Sequence, residues 1–127
     1  MTSVFRFTST HQDNDDHGAR IPAFFVKKSS AFLLRTSLGN NQNFGITFNY
    51  VIGETYHVVI QQYKYESKYW FKVIVNDEVK EDIENEKPQS FSNVRFYTSD
   101  EFWPSFSYKY GIVCNFKIQQ YGGEFSM

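Results

Sequence analysis

An internal disulfide is excluded at the outset, because the chain holds one cysteine, Cys114. A lone thiol leaves the redox compartment open, so a cytosolic protein fits and so does a secreted domain. No stretch approaches the roughly 20 apolar residues that a membrane-spanning helix needs. The opening MTSVFRFTST has no basic n-region, apolar h-region or small-residue cleavage site. The expectation is therefore no membrane insertion and no signal peptide in this sequence. Charge of one sign is lacking too. Fourteen acidic against 13 basic groups leave a formal net charge of −1, whereas a nucleic-acid binder working by bulk charge carries a basic surface that displaces phosphate counterions. No nucleic-acid partner is expected. A G-x-S-x-G elbow, a phosphate-cradling glycine loop, internal repeats and a 3.6-residue apolar period are all missing. The acidic pairs Glu84/Glu86 and Asp100/Glu101 read as solvated surface rather than as facing glycosidase carboxylates. The protein is expected not to be an enzyme.

What the chain has is aromatic residues: 14 Phe, 9 Tyr and 2 Trp, or 20% of its 127 residues. That length suits one domain with one hydrophobic core. Short segments rich in Phe, Tyr, Val and Ile recur every ten to fifteen residues between Gly, Asn, Asp, Ser and Pro clusters, which predicts an all-β protein, a two-sheet antiparallel β-sandwich with minimal helix. Strands are predicted at 4–8, 23–27, 31–36, 44–51, from 56 to 60, 69–75, 79–83, 94–98 and 111–119. The first alternates Phe5 and Phe7 with Arg6 and Thr8, so one face is expected buried and the other wet. LGNNQN and the polar stretch 61–68 read as reversals, and Asn76-Asp77 ends a hairpin. Strand 79–83 is loaded with charge, as exposed edges are. Cys114 points inward as a small buried hydrophobe. The tail over 120–127 is expected to fray.

Two groups of residues could carry chemistry. Asp13, Asp15 and Asp16 crowd three carboxylates into the surface loop HQDNDDHG, and calcium wants six to eight oxygens, some of which backbone can supply. Asp100 is a distant candidate partner, while His11 and His17 lack the companions a zinc site requires. The second group is aromatic. Tyr63, Tyr65, Tyr69, Trp70 and the pair Phe102-Trp103 offer flat amphipathic area for stacking on sugars or for protein contact, although many rings of this chain must fill its core. Trp70 lies opposite Phe71 on its strand, so the two face different sides of a sheet.

The succession GETYHVVIQQ, KYWFKVIVND, VRFYTSDEFWP and YGIVCNFKI resembles the laminin G-like, concanavalin A-like jelly roll. Those modules carry a W-x-x-V-x-I strand, a V-x-V-D/N-G hairpin end and a closing G-x-I-x-N strand. Tyr56 stands where Trp is usual, with Val59 and Ile60 after it. Val73, Val75 and Asn76-Asp77 match the hairpin, and Gly111, Asn115, Phe116 and Ile118 match the closing strand. The loop from Ser99 to Pro104 is similar to the S-D-P-W-Y-P type loop of invertebrate extracellular domains. Asp77 replaces the customary glycine. The resemblance implies a single non-catalytic, extracellular domain over 1–127, binding a glycan or an extracellular protein, with calcium at a loop edge. The candidate ligand-binding set is Trp70, Trp103, Tyr65, Asn76 and Asp100. Residues 112–115 and 121–124 are also similar to the galectin sugar site, but they follow the V-N-G-like hairpin rather than precede it and lack the H-x-N-x-R triad. Two other readings stay open: a structural or assembly subunit that self-associates through its aromatic face as a homo-oligomer, and a small β-barrel carrier of an apolar ligand.

Overall fold

The structure is a computed structural model that describes residues 2–10, 18–89, 91, 93–98 and 116–118. Among these residues eight strands follow one another: β1 (Thr2–Thr8), β2 (Ala23–Lys27), β3 (Ala31–Leu38), β4 (Asn41–Asn49), β5 (Val58–Tyr65), β6 (Lys68–Val75), β7 (Glu78–Glu84) and β8 (Arg95–Tyr97). No helix occurs among the described residues. The strands form a five-stranded sheet in the order β4-β3-β2-β1-β8 and a three-stranded sheet in the order β5-β6-β7, with every pairing antiparallel. The protein is thus an all-β, two-sheet antiparallel sandwich.

Period-two alternation decides which side chains meet between the sheets. From the larger sheet come Val4, Phe24, Val26, Leu34 and Leu38, and from the smaller come Phe71, Val73 and Val75, all buried in one cluster. Phe32, Phe44, Ile46, Phe48, Val58, Ile60 and Ile83 pack around it half-buried. The rings run as a chain, Phe24 against Phe32 at 5.2 Å and Phe32 against Phe48 at 5.3 Å between centroids. Aromatic surplus is thereby spent on the core margin, where large rings bridge the gap between sheets.

Several expectations need correction. β1 is buried on both faces, with Arg6 at 2% and Thr8 at 0% exposure. The segment 18–22 continues the line of β2 between β1 and β3 through Phe7 N–H to Pro22 O, Ile21 N–H to Phe7 O and Ser37 N–H to Arg20 O, and the Thr8 hydroxyl donates to Gly18 O at 3.4 Å. Arg6 Nη1 donates to Ala19 O at 3.2 Å, and its guanidinium lies 5.5 Å from the Tyr97 ring centre. A buried cation is tolerated because such partners replace water. A second small cluster, Ala23, Phe25 and Leu33, sits on this far face, with the Arg20 guanidinium 5.7 Å from the Phe25 ring. Among the described residues the buried apolar side chains thus fall into two clusters.

The reversals are also tighter than expected. LGNNQN contracts to Gly39-Asn40, because pairing resumes at Leu38 with Asn41. Gln61 to Tyr65 belong to β5, paired with β6 as far as Tyr65 opposite Lys68, which leaves only Glu66-Ser67 in the turn. Polar residues extend the strand because its outward face needs no burial. Val51 leaves β4 and stands 59% exposed beside Ile52 at 82%, at the tip of a turn that Gly53 closes with φ of +92°. Of the closing strand expected over 111–119, only Phe116, Lys117 and Ile118 are described, and they are not in a strand. Phe116 packs on Phe5 and Phe96, each at 5.2 Å. Cys114, His11 and His17 lie outside the described residues.

Candidate functional site

The three-stranded sheet turns one face to the core and the other away from it. On β6, Phe71, Val73 and Val75 are buried while Lys68, Trp70, Lys72 and Ile74 alternate with them. Register then decides their neighbours: Trp70 stands between Tyr63 of β5 and Glu84 of β7, Lys72 between Gln61 and Asp82, and Tyr65 beside Lys68. Directly opposed residues on one face have Cβ atoms about 5 Å apart, so these side chains form one continuous surface. Tyr65 is 61% exposed. Trp70 is half-buried, and its Nε1 is shielded from solvent without a hydrogen-bond partner. The N–H is thus not what Trp70 shows to water.

Charged groups frame the rings. Lys72 Nζ lies 4.9 Å from the Tyr63 ring centre and 3.8 Å from Asp82 Oδ2, while the Tyr63 hydroxyl donates to Asp82 Oδ1 at 2.8 Å. Partial burial of the phenol, followed by the hydrogen bond to Asp82 and the charge of that carboxylate, raises the Tyr63 pKa above its ordinary value. Lys68 Nζ is 3.9 Å from Glu84 Oε1. Exposed pairs of this kind contribute little stability, about 0–1 kcal/mol. They do hold donors and acceptors at fixed places beside the rings.

Glu84 also lines an open groove of about 360 Å³, with Leu38, Gly39, Asn40, Asn41, Phe44, Ile83 and Glu86 as its other walls. The groove lies where the Gly39-Asn40 turn of one sheet meets the exit of β7 from the other. Asn85, 2% exposed, joins them: its Oδ1 accepts from Gly39 N–H at 2.9 Å and from Lys87 N–H at 3.3 Å, and its Nδ2 donates to Gln62 Oε1 at 3.4 Å. Sequence reading had paired Glu84 with Glu86 but had no signal for the groove. Its walls come from both sheets, and only their stacking brings them together.

The structure brings Trp70 and Tyr65 of the expected ligand-binding set onto one face and adds Tyr63, Glu84 and Asp82 to them. Asn76 is at the opposite end of the smaller sheet. There its φ is +50°, its N–H donates to His57 O and its Oδ1 accepts from His57 N–H at 2.8 Å. Its side chain pins the start of β5 to the β6–β7 turn. Tyr69 faces the interior with Phe71, and Lys64 lies 5.7 Å from its ring. Trp103 and Asp100 lie outside the described residues, as do Asp13, Asp15 and Asp16. Among the described residues no three His, Cys, Asp or Glu side chains converge as metal donors, and no helix is long and apolar enough to cross a membrane. Comparison with known protein families finds no matching model, and comparisons with curated proteins and with solved structures find no match.

Proposed function

We propose that the protein is a non-catalytic recognition module of laminin G-like character that binds a glycan through the outward face of β5, β6 and β7. The observation that supports this reading is the adjacency of Tyr63, Trp70 and Tyr65 on one sheet face, framed by Glu84, Asp82, Lys68 and Lys72. Pyranose rings offer a weakly polar C–H face to aromatic carbon and hydroxyls to fixed charges, and this face holds both kinds of contact on strands rather than on loops. Trp70 and Tyr65 supply the stacking area; Glu84 and Asp82 accept hydroxyl hydrogens, and Lys68 and Lys72 donate to ring or hydroxyl oxygens. Such modules act outside the cell, often with calcium, for which Asp13, Asp15 and Asp16 are the donors this chain would offer.

A glycan array probed with the intact protein, once in calcium and once in chelator, tests the reading. Binding to a defined glycan class should fall about fivefold to a hundredfold in Trp70→Ala, since a stacked aromatic contributes on the order of 1–3 kcal/mol. Calcium dependence would bring in the acidic loop. A folded protein that leaves every glycan unbound, or that binds equally well without Trp70, would overturn it.

A further inference from the structure

We propose that β4 is the seam of a symmetric dimer, in which the five-stranded sheets of two copies join edge to edge. Among the described strands β4 is the outermost of its sheet, and a bare edge offers a row of unpaired N–H and C=O groups that proteins ordinarily guard with charge, proline or a short length. The other edge strands have such guards. β7 carries Glu78, Lys80, Glu81, Asp82 and Glu84, β5 carries Lys64, and β8 is 3 residues long with Arg95. β4, with the 9 residues NQNFGITFN, has no charge and no proline.

The phase of the ladder shows which groups are free. Tyr50 N–H donates to Ser30 O at 3.0 Å, and antiparallel pairs alternate between bonded and non-bonded. Phe48, Ile46 and Phe44, opposite Phe32, Leu34 and Thr36, therefore turn their backbone groups toward β3. Asn49, Thr47 and Gly45 turn theirs outward, and all three are exposed. Asn43 lies beyond this run: its N–H donates to Asn41 Oδ1 at 3.0 Å, and its carbonyl accepts from Arg35 Nη1 at 3.1 Å.

The outward run is its own complement. An antiparallel pairing about a twofold at Thr47 sets Thr47 against Thr47 of the second copy and Gly45 against Asn49, each pair exchanging two backbone bonds. On the core side the same register sets Ile46 against Phe48 twice over, so half-buried apolar side chains at the sheet margin gain cover. On the far side Thr meets Thr, a favourable cross-strand pair, and Gly45 leaves room for Arg35, whose Nη1 would be 2.5 Å from an added Cβ. No like charges meet along β4. A foreign strand would have to supply these matches independently, whereas a second copy supplies them by symmetry.

Sedimentation velocity of the intact protein over about a hundredfold range of concentration should show a monomer passing into a dimer. Thr47→Pro deletes an outward N–H without touching the ladder to β3, and Thr47→Lys sets two ammonium groups together at the twofold. Each should raise the dimer dissociation constant at least about tenfold, with circular dichroism unchanged, while Trp70→Ala leaves it where it was. A wild-type protein that stays monomeric throughout overturns the proposal. So does a dimer that survives both Thr47 variants, or one that Trp70→Ala dissolves, which would place the seam on the aromatic face.

Discussion

Tyr63 shows how a side chain on an open sheet face acquires a distinct chemistry. Its ring is flanked by Lys72 and its hydroxyl donates to Asp82, so ionising the phenol would remove a donor and set two negative charges together. Partial burial of the phenol is the larger cost, ahead of both, and the folded-state pKa stands above the ordinary 10.0. The sign of the linkage follows. Because the folded state keeps this proton where the unfolded chain has lost it, the contribution to stability is full below the unfolded value and is lost as pH rises through the folded one. Asp82→Asn removes the carboxylate charge, so the Tyr63 phenol should titrate at lower pH, read as the difference between the alkaline absorbance curves of the two proteins. Identical curves for the two proteins would show that Asp82 has no hold on Tyr63.

Among the elements, the hairpins carry the clearest contrast. Glu66-Ser67 and Asn76-Asp77 both place two consecutive residues at positive φ, 50° and 65° in each case, the geometry that matches a two-residue turn to the twist of its strands. Asn and Asp accept this region readily, whereas Glu and Ser do so at a cost of about 1 kcal/mol per residue. β5 and β6 are held in register by eight facing pairs, from Val58 opposite Val75 to Tyr65 opposite Lys68, and that pairing imposes the turn on residues poorly suited to it. Ser67→Gly should therefore stabilise the fold by up to about 0.5 kcal/mol, after allowance for the greater freedom of glycine in the unfolded chain. In denaturant the midpoint should rise with the slope unchanged. An unchanged or lower midpoint would mean that Ser67 is not strained. The same contrast explains why the Asn76-Asp77 turn was legible in the sequence while the Glu66-Ser67 turn was hidden inside a polar run.

For the molecule as a whole, Asn85 does what apolar stacking alone cannot. The cluster of Phe24, Val26, Leu34, Phe71 and Val73 presses the two sheets together, but hydrophobic contact is non-directional and leaves their ends free to slide. Asn85 lies just past β7 of the smaller sheet and accepts from Gly39 N–H in the β3–β4 turn of the larger one. Its own N–H donates to Tyr69 O. Removing its side chain would leave the Gly39 donor without this partner and lose the bond to Gln62 in a partly buried site, at about 1–2 kcal/mol. Asn85→Ala should unfold at correspondingly lower denaturant concentration, and a loss below about 0.5 kcal/mol would show that water takes over the clasp. The groove shared by Phe44, Glu84 and Glu86 lies at this junction, so its shape depends on the same contacts.

The sequence by itself determined where most of the described strands lie, because alternation of apolar and polar residues at period two is a local property that survives without knowledge of partners. It placed Ala23–Lys27 residue for residue, put Trp70 on the side of β6 opposite Phe71 and marked β7 as a charged edge. Only the tertiary structure decided what lies beside what. Pairing register, set by residues far apart in the chain, put Tyr63 and Glu84 on either side of Trp70. Arg6 and Thr8, which alternation alone assigned to water, are buried, with the carbonyls of Ala19 and Gly18 as acceptors. Sheet stacking gathered the groove from β3, β4 and β7, and among the described strands it left β4 outermost, with Gly45, Thr47 and Asn49 turned outward. Side-chain periodicity reports which face a residue occupies; what covers that face is decided by non-local packing.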